Sequence, residues 1–226
     1  MTKKEEAELK RLEKLKKERE RLDLMKEYER AHAGCMYICG IDEAGRGPFA
    51  GPVVAAACIL DLEDPEKEIL YLNDSKKLSE KKREVLFEEI KEKAVSYGVG
   101  IVDSKTIDEI NILQATYRAM QMAIAQLDPK ADFVLADAVT IPGITIPQEA
   151  IIKGDAKSVS IAAASIIAKM TRDHMMYEYD KLYPEYGFAS HKGYGTKAHI
   201  EAIKKYGMLD IHRRSFIHFE TFDREV

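Results

Sequence analysis

Four acidic positions carry the chemistry that this sequence suggests: Asp42, Glu43, Asp137 and Asp155. Asp42 and Glu43 close the apolar segment MYICGID (36–42) and lead directly into the turn GRGP (45–48). Asp137 closes a second apolar run, ADFVLAD (131–137), and Asp155 lies in KGD, just ahead of an Ala-rich stretch. A carboxylate at the end of a buried strand is expensive to leave without a positive partner. A divalent cation satisfies several at once. An all-oxygen set with no His or Cys beside it selects a hard ion, Mg²⁺ or Mn²⁺. Each acid also has an ordinary alternative as a helix cap or surface turn. For Asp155 alone, ahead of a helix, capping is the commoner role. For Asp137 alone the two readings balance, and the pair before Gly-Arg-Gly is the more specific signal. Adjacent strand residues face opposite sides. Asp42 and Glu43 can therefore share one site only if the strand ends there, as the glycines imply.

The turn adds a second feature. Gly45 and Gly47 let backbone approach a ligand closely and present amides to a phosphate or sugar hydroxyl, and Arg46 can add a bidentate phosphate contact. By itself such a turn is an ordinary hairpin; its position after the acidic pair makes it informative. No nucleophile–base arrangement is evident. The run Ala162–Ala164 is read as close helix packing, Ser160 and Ser165 equally as substrate-facing or structural, and His174 as structural. His191 and His199 flank Gly193-Tyr194-Gly195, where phosphate contact competes with a plain surface role.

The elements that must position these groups follow from pattern. MYICGID and GPVVAAACIL (51–60) read as strands joined by a Gly/Pro-rich link. Residues 79–93 form a charged amphipathic helix. Val95, Tyr97, Val99 and Ile101 give a period-two strand. A helix spans 106–127, with Thr106 and Glu109 as a capping box. ADFVLAD suits a strand covered on both faces, and IPQEAIIKG (146–154) is a weaker strand. An Ala-rich helix covers 158–180, and a shorter one lies near 196–206. A meander followed by alternating strands and helices predicts an α/β fold, a mixed sheet of about five strands flanked by helices. Residues 1–34 stand apart: they are dense in Lys, Arg and Glu and hold one glycine, Gly34. Leu12, Leu15, Leu22 and Met25 give them a narrow apolar stripe, as in a charged helix that packs weakly or projects. The body then runs 35–226, with a helical C-terminal part from about 183.

The chain has 226 residues, 46% hydrophobic and 33% charged, with net charge −4. That length supports one core without disulfide staples. Cys35, Cys39 and Cys58 are read as reduced thiols. The longest uncharged apolar run, 160–168, is about half of the roughly 20 residues a membrane helix needs, and no secretory signal opens the chain. A cytoplasmic protein with no membrane partner is expected. The acidic average argues mildly against nucleic acid. Yet residues 187–218 carry six Lys/Arg against two acids, with four histidines besides, and can meet a polyanion.

Taken in order, YICGIDEAGRGPFAGPVVAAA (37–57), NDSKKLS (73–79), VLAD (134–137), KGDAKSVSIAAASIIAKMTRD (153–173) and HKGYGTKAH (191–199) closely resemble bacterial type 2 ribonuclease H, ribonuclease HII, over about residues 36–215. The extension 1–34 lies outside the resemblance. The resemblance implies a ribonuclease H-like fold. It implies that Asp42, Glu43, Asp137 and Asp155 bind two divalent ions and are catalytic. Gly45, Arg46 and Gly47 match the motif that reads the ribose 2′-hydroxyl, Tyr194 the tyrosine that stacks at the junction, and Lys76 and Lys77 basic residues on the nucleic-acid path. The implied enzyme is a monomeric endonuclease acting on RNA–DNA hybrids and on ribonucleotide-containing duplex DNA during replication and repair. It leaves 3′-hydroxyl and 5′-phosphate ends. Another nuclease of the same superfold would cut all-DNA substrates, and a non-catalytic module would have lost the acids.

Overall fold

The computed structural model describes residues 2–218. At its centre is a five-stranded mixed sheet, ordered β3-β2-β1-β4-β5. β1 (Ile38–Ala44), β2 (Val53–Ile59) and β3 (Ser96–Val102) form an antiparallel meander. β4 (Phe133–Asp137) joins the other edge of β1 in parallel and is followed in parallel by β5 (Gln148–Ile151). The helices are α1 (Lys3–Leu24), α2 (Glu27–Ala31), α3 (Glu80–Lys93), α4 (Ser104–Ala125), α5 (Val159–Leu182), α6 (Phe188–His191) and α7 (Lys197–Tyr206). No helix among the described residues is long and apolar enough to cross a membrane.

Two helices set the layers. Cys39, Ile41, Ala55 and Ala57 pack with Ala119, Ala123 and Met120 of α4 on one face. Ala56 and Cys58 pack with Ala163 and Ile167 of α5, and with α3, on the other. β2 is buried at every position, which explains its lack of alternation. In α5 the small residues Ala162–Ala164 let the helix lie against β1. The contact is so close that a Cβ on Gly40 would fall 2.0 Å from the Ser160 carbonyl carbon.

One local expectation is corrected. The cap of α4 is Asp103, whose side chain accepts from the Thr106 amide at 2.8 Å, so Thr106 lies one turn inside the helix. β3 has the expected period of two, and its apolar residues are the less covered side: Tyr97 and Ile101 are each 38% exposed. Gly98 and Gly100 lie beneath α4 instead, where a Cβ would come within 2.2 Å of Ala123 O and 1.9 Å of Ala119 O. Close helix approach, not side-chain hydrophobicity, decides which side of β3 is covered.

The N-terminal segment is divided. Leu9 and Leu12 are exposed, whereas Leu22 and Met25 belong to the core beside α5. Arg21 donates to Leu72 O at 2.7 Å, and the Val159 amide donates to Met25 O at 3.2 Å. Glu29 is buried, and its Oε1 accepts from the Ser158 hydroxyl at 2.6 Å and the Ser160 amide at 3.0 Å. Beyond α5, the described chain from Tyr183 forms α6, α7 and two single 3-10 turns, Pro184–Tyr186 and Arg214–Phe216, and packs Phe188, Tyr186 and Ile203 with Met176 of α5 against Ala50. The last part of the expected C-terminal region, 219–226, lies outside the described residues.

Candidate active site

Parallel pairing brings the first two acids together. Ile41 is opposite Ala136, so the next residues, Asp42 and Asp137, fall side by side at the carboxyl ends of β1 and β4. Such ends are where open α/β sheets build their sites. Asp137 Oδ1 then accepts from the Gly154 amide at 2.7 Å, which ties down the loop carrying Asp155. Ala138 and Lys153, on either side of this junction, adopt φ of 56° and 59°, a left-handed backbone uncommon outside glycine. One carboxylate oxygen from each of Asp42, Asp137 and Asp155 lies within 4.8 Å of the others. Asp155 is not a helix cap; Ser158 caps α5, accepting from the Ile161 amide at 3.1 Å.

Glu43 is placed differently from the first three. β1 continues through Ala44, so the strand does not end at the acidic pair as expected. Glu43 lies next to the trio without entering it, and its carboxylate meets Arg46 Nη1 at 3.5 Å. Arg46 is otherwise exposed, so this pair is weak.

Electrostatics mark Asp42 and Asp155 as short of positive charge. Burial pushes Asp42 well above the ordinary carboxylate range, and the charges of Glu43 and Asp137 push further, while a hydrogen bond from Ser165 opposes them. Burial also raises Asp155, helped by Asp74 and Asp137 and opposed by Lys76. Glu43 is raised by burial against the pull of Arg46. Burial draws Lys76 down, but the charges of Asp42, Asp74, Asp155 and Asp137 outweigh it and leave its ammonium above normal. The structure thus separates the two lysines: Lys76 faces the acids, and Lys77 points outward to Asp74 at 3.9 Å.

The glycine turn and the tyrosine loop form one surface. The Phe49 amide donates to Gly193 O at 2.8 Å, and a Cβ on Gly195 would strike the Phe49 ring at 2.3 Å. A Cβ on Gly47 would lie 3.6 Å from the Tyr194 ring, which is half exposed. Gly45, at φ 92°, is required twice over, since a Cβ there would also lie 2.0 Å from Arg172 Nε.

Several supporting residues carried no clear sequence signal. Asp74 caps the turn Ser75–Lys77, and its charge helps raise Asp155. Ser75 Oγ meets Ser165 Oγ at 2.9 Å, extending the contact from Asp42. Of the two serines left open, Ser165 is at the acids and Ser160 is at Glu29. Arg172 could have been found: it lies two turns after Ser165 on the same face of α5. Arg213, counted in the sequence as surface charge, is fully buried. His191 and His199 are also inward: His191 Nε2 bonds Tyr186 O at 2.8 Å, and His199 Nδ1 bonds Tyr194 O at 2.9 Å. His174 meets Glu84 at 3.1 Å on the surface.

Comparison with known proteins agrees with this arrangement. A model of the family "Ribonuclease HII" matches residues 39–219. The chain is 58% identical over 210 residues to a ribonuclease HII of Clostridioides difficile, covering 92% of this chain and 81% of that one. It is 59% identical over 207 residues to a ribonuclease HII of Lachnoclostridium phytofermentans, covering 92% and 80%. Among solved structures, the ribonuclease H2 of Pyrococcus horikoshii superposes with TM-score 0.68 at 30% identity, covering 84% of this chain and 98% of that one. Sheet, acidic trio and sequence likeness converge: the chain belongs to the ribonuclease HII family and is a type 2 ribonuclease H, a hydrolase acting on RNA–DNA hybrids.

Proposed function

We propose that Asp42, Asp137 and Asp155, with Glu43 beside them, hold two divalent cations, Mg²⁺ or Mn²⁺. The enzyme would cleave the RNA strand of hybrids and nick duplex DNA on the 5′ side of embedded ribonucleotides. The observation that carries this is the convergence of three carboxylates, distant in sequence, within 4.8 Å beside a glycine turn. The donor set fits the group: all ligands are hard oxygens, and burial with neighbouring acids raises Asp42 and Asp155, a setting in which a divalent cation is a favourable partner. When bound, such ions activate the attacking water and stabilise the departing 3′-oxygen.

The chain's own residues do the remainder. The acids fix the reaction centre at the carboxyl ends of β1 and β4. The amides of the turn Gly45–Gly47 hydrogen-bond the ribose 2′-hydroxyl while ignoring the base, and Tyr194 stacks on the neighbouring sugar and base. A buried polar site rejects deoxyribose because its own groups would go unpaired, a discrimination that can reach about 10⁴. Lys76 sits between the acids and the phosphate path, and Lys77 flanks it. Products are a 3′-hydroxyl and a 5′-phosphate, consistent with ribonucleotide removal in cytoplasmic DNA replication and repair.

The test is a duplex carrying one ribonucleotide, incubated with Mg²⁺ or Mn²⁺ beside an all-DNA control. The expected result is one nick at the 5′ side of the ribonucleotide and an intact control. An uncut ribonucleotide duplex with both metals removes the single-ribonucleotide activity, and cleavage of the control points to a different nuclease of this fold.

A further inference from the structure

Two fully buried arginines lie behind the glycine turn, Arg172 from α5 and Arg213 from the C-terminal segment. Neither forms an ion pair with a carboxylate among the described residues; both are spent on carbonyls. Arg172 donates through Nε to Pro52 O at 3.0 Å, through Nη2 to Ala50 O at 3.0 Å and through Nη1 to Lys192 O at 2.9 Å. Arg213 donates to Gly51 O at 3.0 and 2.8 Å, to Arg46 O at 2.9 Å and to Gly45 O at 2.6 Å. Six carbonyls of the glycine turn, its return to β2 and the tyrosine loop are thus drawn onto two guanidinium groups.

Peptide geometry turns this into a statement about the other side of the turn. In a planar trans peptide the carbonyl of one residue and the amide of the next point in opposite directions. With the carbonyls of Gly45 and Arg46 held inward by Arg213, the amides of Arg46 and Gly47 point outward. Among the described residues neither amide donates to any partner. We propose that Arg172 and Arg213 are positioning residues for sugar recognition, aiming the Arg46 and Gly47 amides into the cleft and placing two guanidinium groups behind them.

This rests on the reading that the turn binds the 2′-hydroxyl, and it names what gives the turn that ability. Burial lowers Arg172 to about 10 and, together with the charge of Arg172, lowers Arg213 to about 9, so both stay protonated at neutral pH. Lysine cannot replace either, because one ammonium cannot span carbonyls from three residues.

The experiment is a cycle between protein and substrate. Arg172→Lys, Arg213→Lys and the parent are compared on duplexes whose single ribonucleotide carries either a 2′-hydroxyl or a 2′-fluoro group. Melting temperature and Mn²⁺ binding report the fold and the acids. The expected result is unchanged Mn²⁺ binding, a kcat/KM about tenfold or more lower on the 2′-hydroxyl duplex, and a 2′-fluoro penalty at least about fivefold smaller than in the parent. Millimolar guanidinium should restore part of the activity of Arg213→Ala. A full 2′-fluoro penalty in folded variants overturns the proposal while leaving sugar recognition by the turn intact. A parent with no such penalty overturns both. Should the variants fail to fold, amide resonances of Arg46 and Gly47 in the parent decide: they must shift on adding the duplex with Ca²⁺, and unmoved signals refute the assignment.

Discussion

Asp42 shows what the proposed active site asks of single residues. It is 5% exposed, and its carboxylate is opposed by burial and by Glu43 and Asp137. An acid whose folded pKa is raised weakens the fold when ionised, and a bound cation reverses the sign. Asp42→Asn should therefore abolish cleavage while raising the stability of the metal-free protein by about 1 kcal/mol or more. Parallel melts in EDTA and in Mn²⁺ check this: the parent should gain more from the metal than the variant. A variant that melts lower in EDTA would contradict the charge argument. At this scale Asp42 and Asp137 stood out because each closes an apolar run, and Asp155 because it follows a glycine ahead of an Ala-rich helix. Asp74, Ser75 and Arg213 were not, since what they touch is decided by distant chain: Arg213 reaches back to Gly45 across the whole body. Glu43 was half legible. Its neighbourhood was foreseeable, but its separation from the trio depends on β1 running to Ala44.

Among elements, the contact of β1 with α5 permits no side chain at Gly40. Gly40→Ala would force backbone apart at Ser160 and should destabilise the protein by about 3 kcal/mol, readable by urea titration. A second prediction concerns the link between α7 and the segment after it. The Leu209 amide donates to His212 Nδ1 at 2.8 Å, His212 Nε2 meets His199 Nε2 at 3.1 Å, and His199 Nδ1 meets Tyr194 O at 2.9 Å. Only one proton arrangement satisfies all three: His212 protonated on Nε2 and His199 on Nδ1, both neutral. Burial holds each at about 4. Since the unfolded chain takes up these protons near pH 6.5 and the folded one does not until about 4, stability falls as pH drops through that interval. The loss should be on the order of 3 kcal/mol for each histidine. His212→Phe should flatten that part of the stability–pH curve. The mixed sheet of five strands and the places of α3, α4, α5 and α7 were readable from periodicity. The face of β3 was not, because α4 selects glycine where a pattern-based reading selects the apolar residues. The cap of α4 was missed because Asp103 and Thr106 both carry capping chemistry.

For the whole molecule, the N-terminal segment was legible as charged and helical but not as two parts. Removing residues 2–14 takes away exposed helix and should leave stability nearly unchanged. Removing 2–33 also removes Leu22, Met25 and the Glu29 bonds at the start of α5. Glu29→Ala alone should cost about 1–2 kcal/mol by uncapping α5, and the longer deletion considerably more, seen as a lower midpoint in chemical denaturation. An equal loss from both deletions would mean that the outer turns of α1 are also held. Those outer turns have a hydrodynamic consequence. A helix of 22 residues is about 33 Å long, and its first half projects unsupported. In solution scattering the particle should exceed the radius of gyration of about 17 Å expected for a compact chain of this length, with a tail in its distance distribution from the rod. Cutting the rod away should bring that value back toward the compact one.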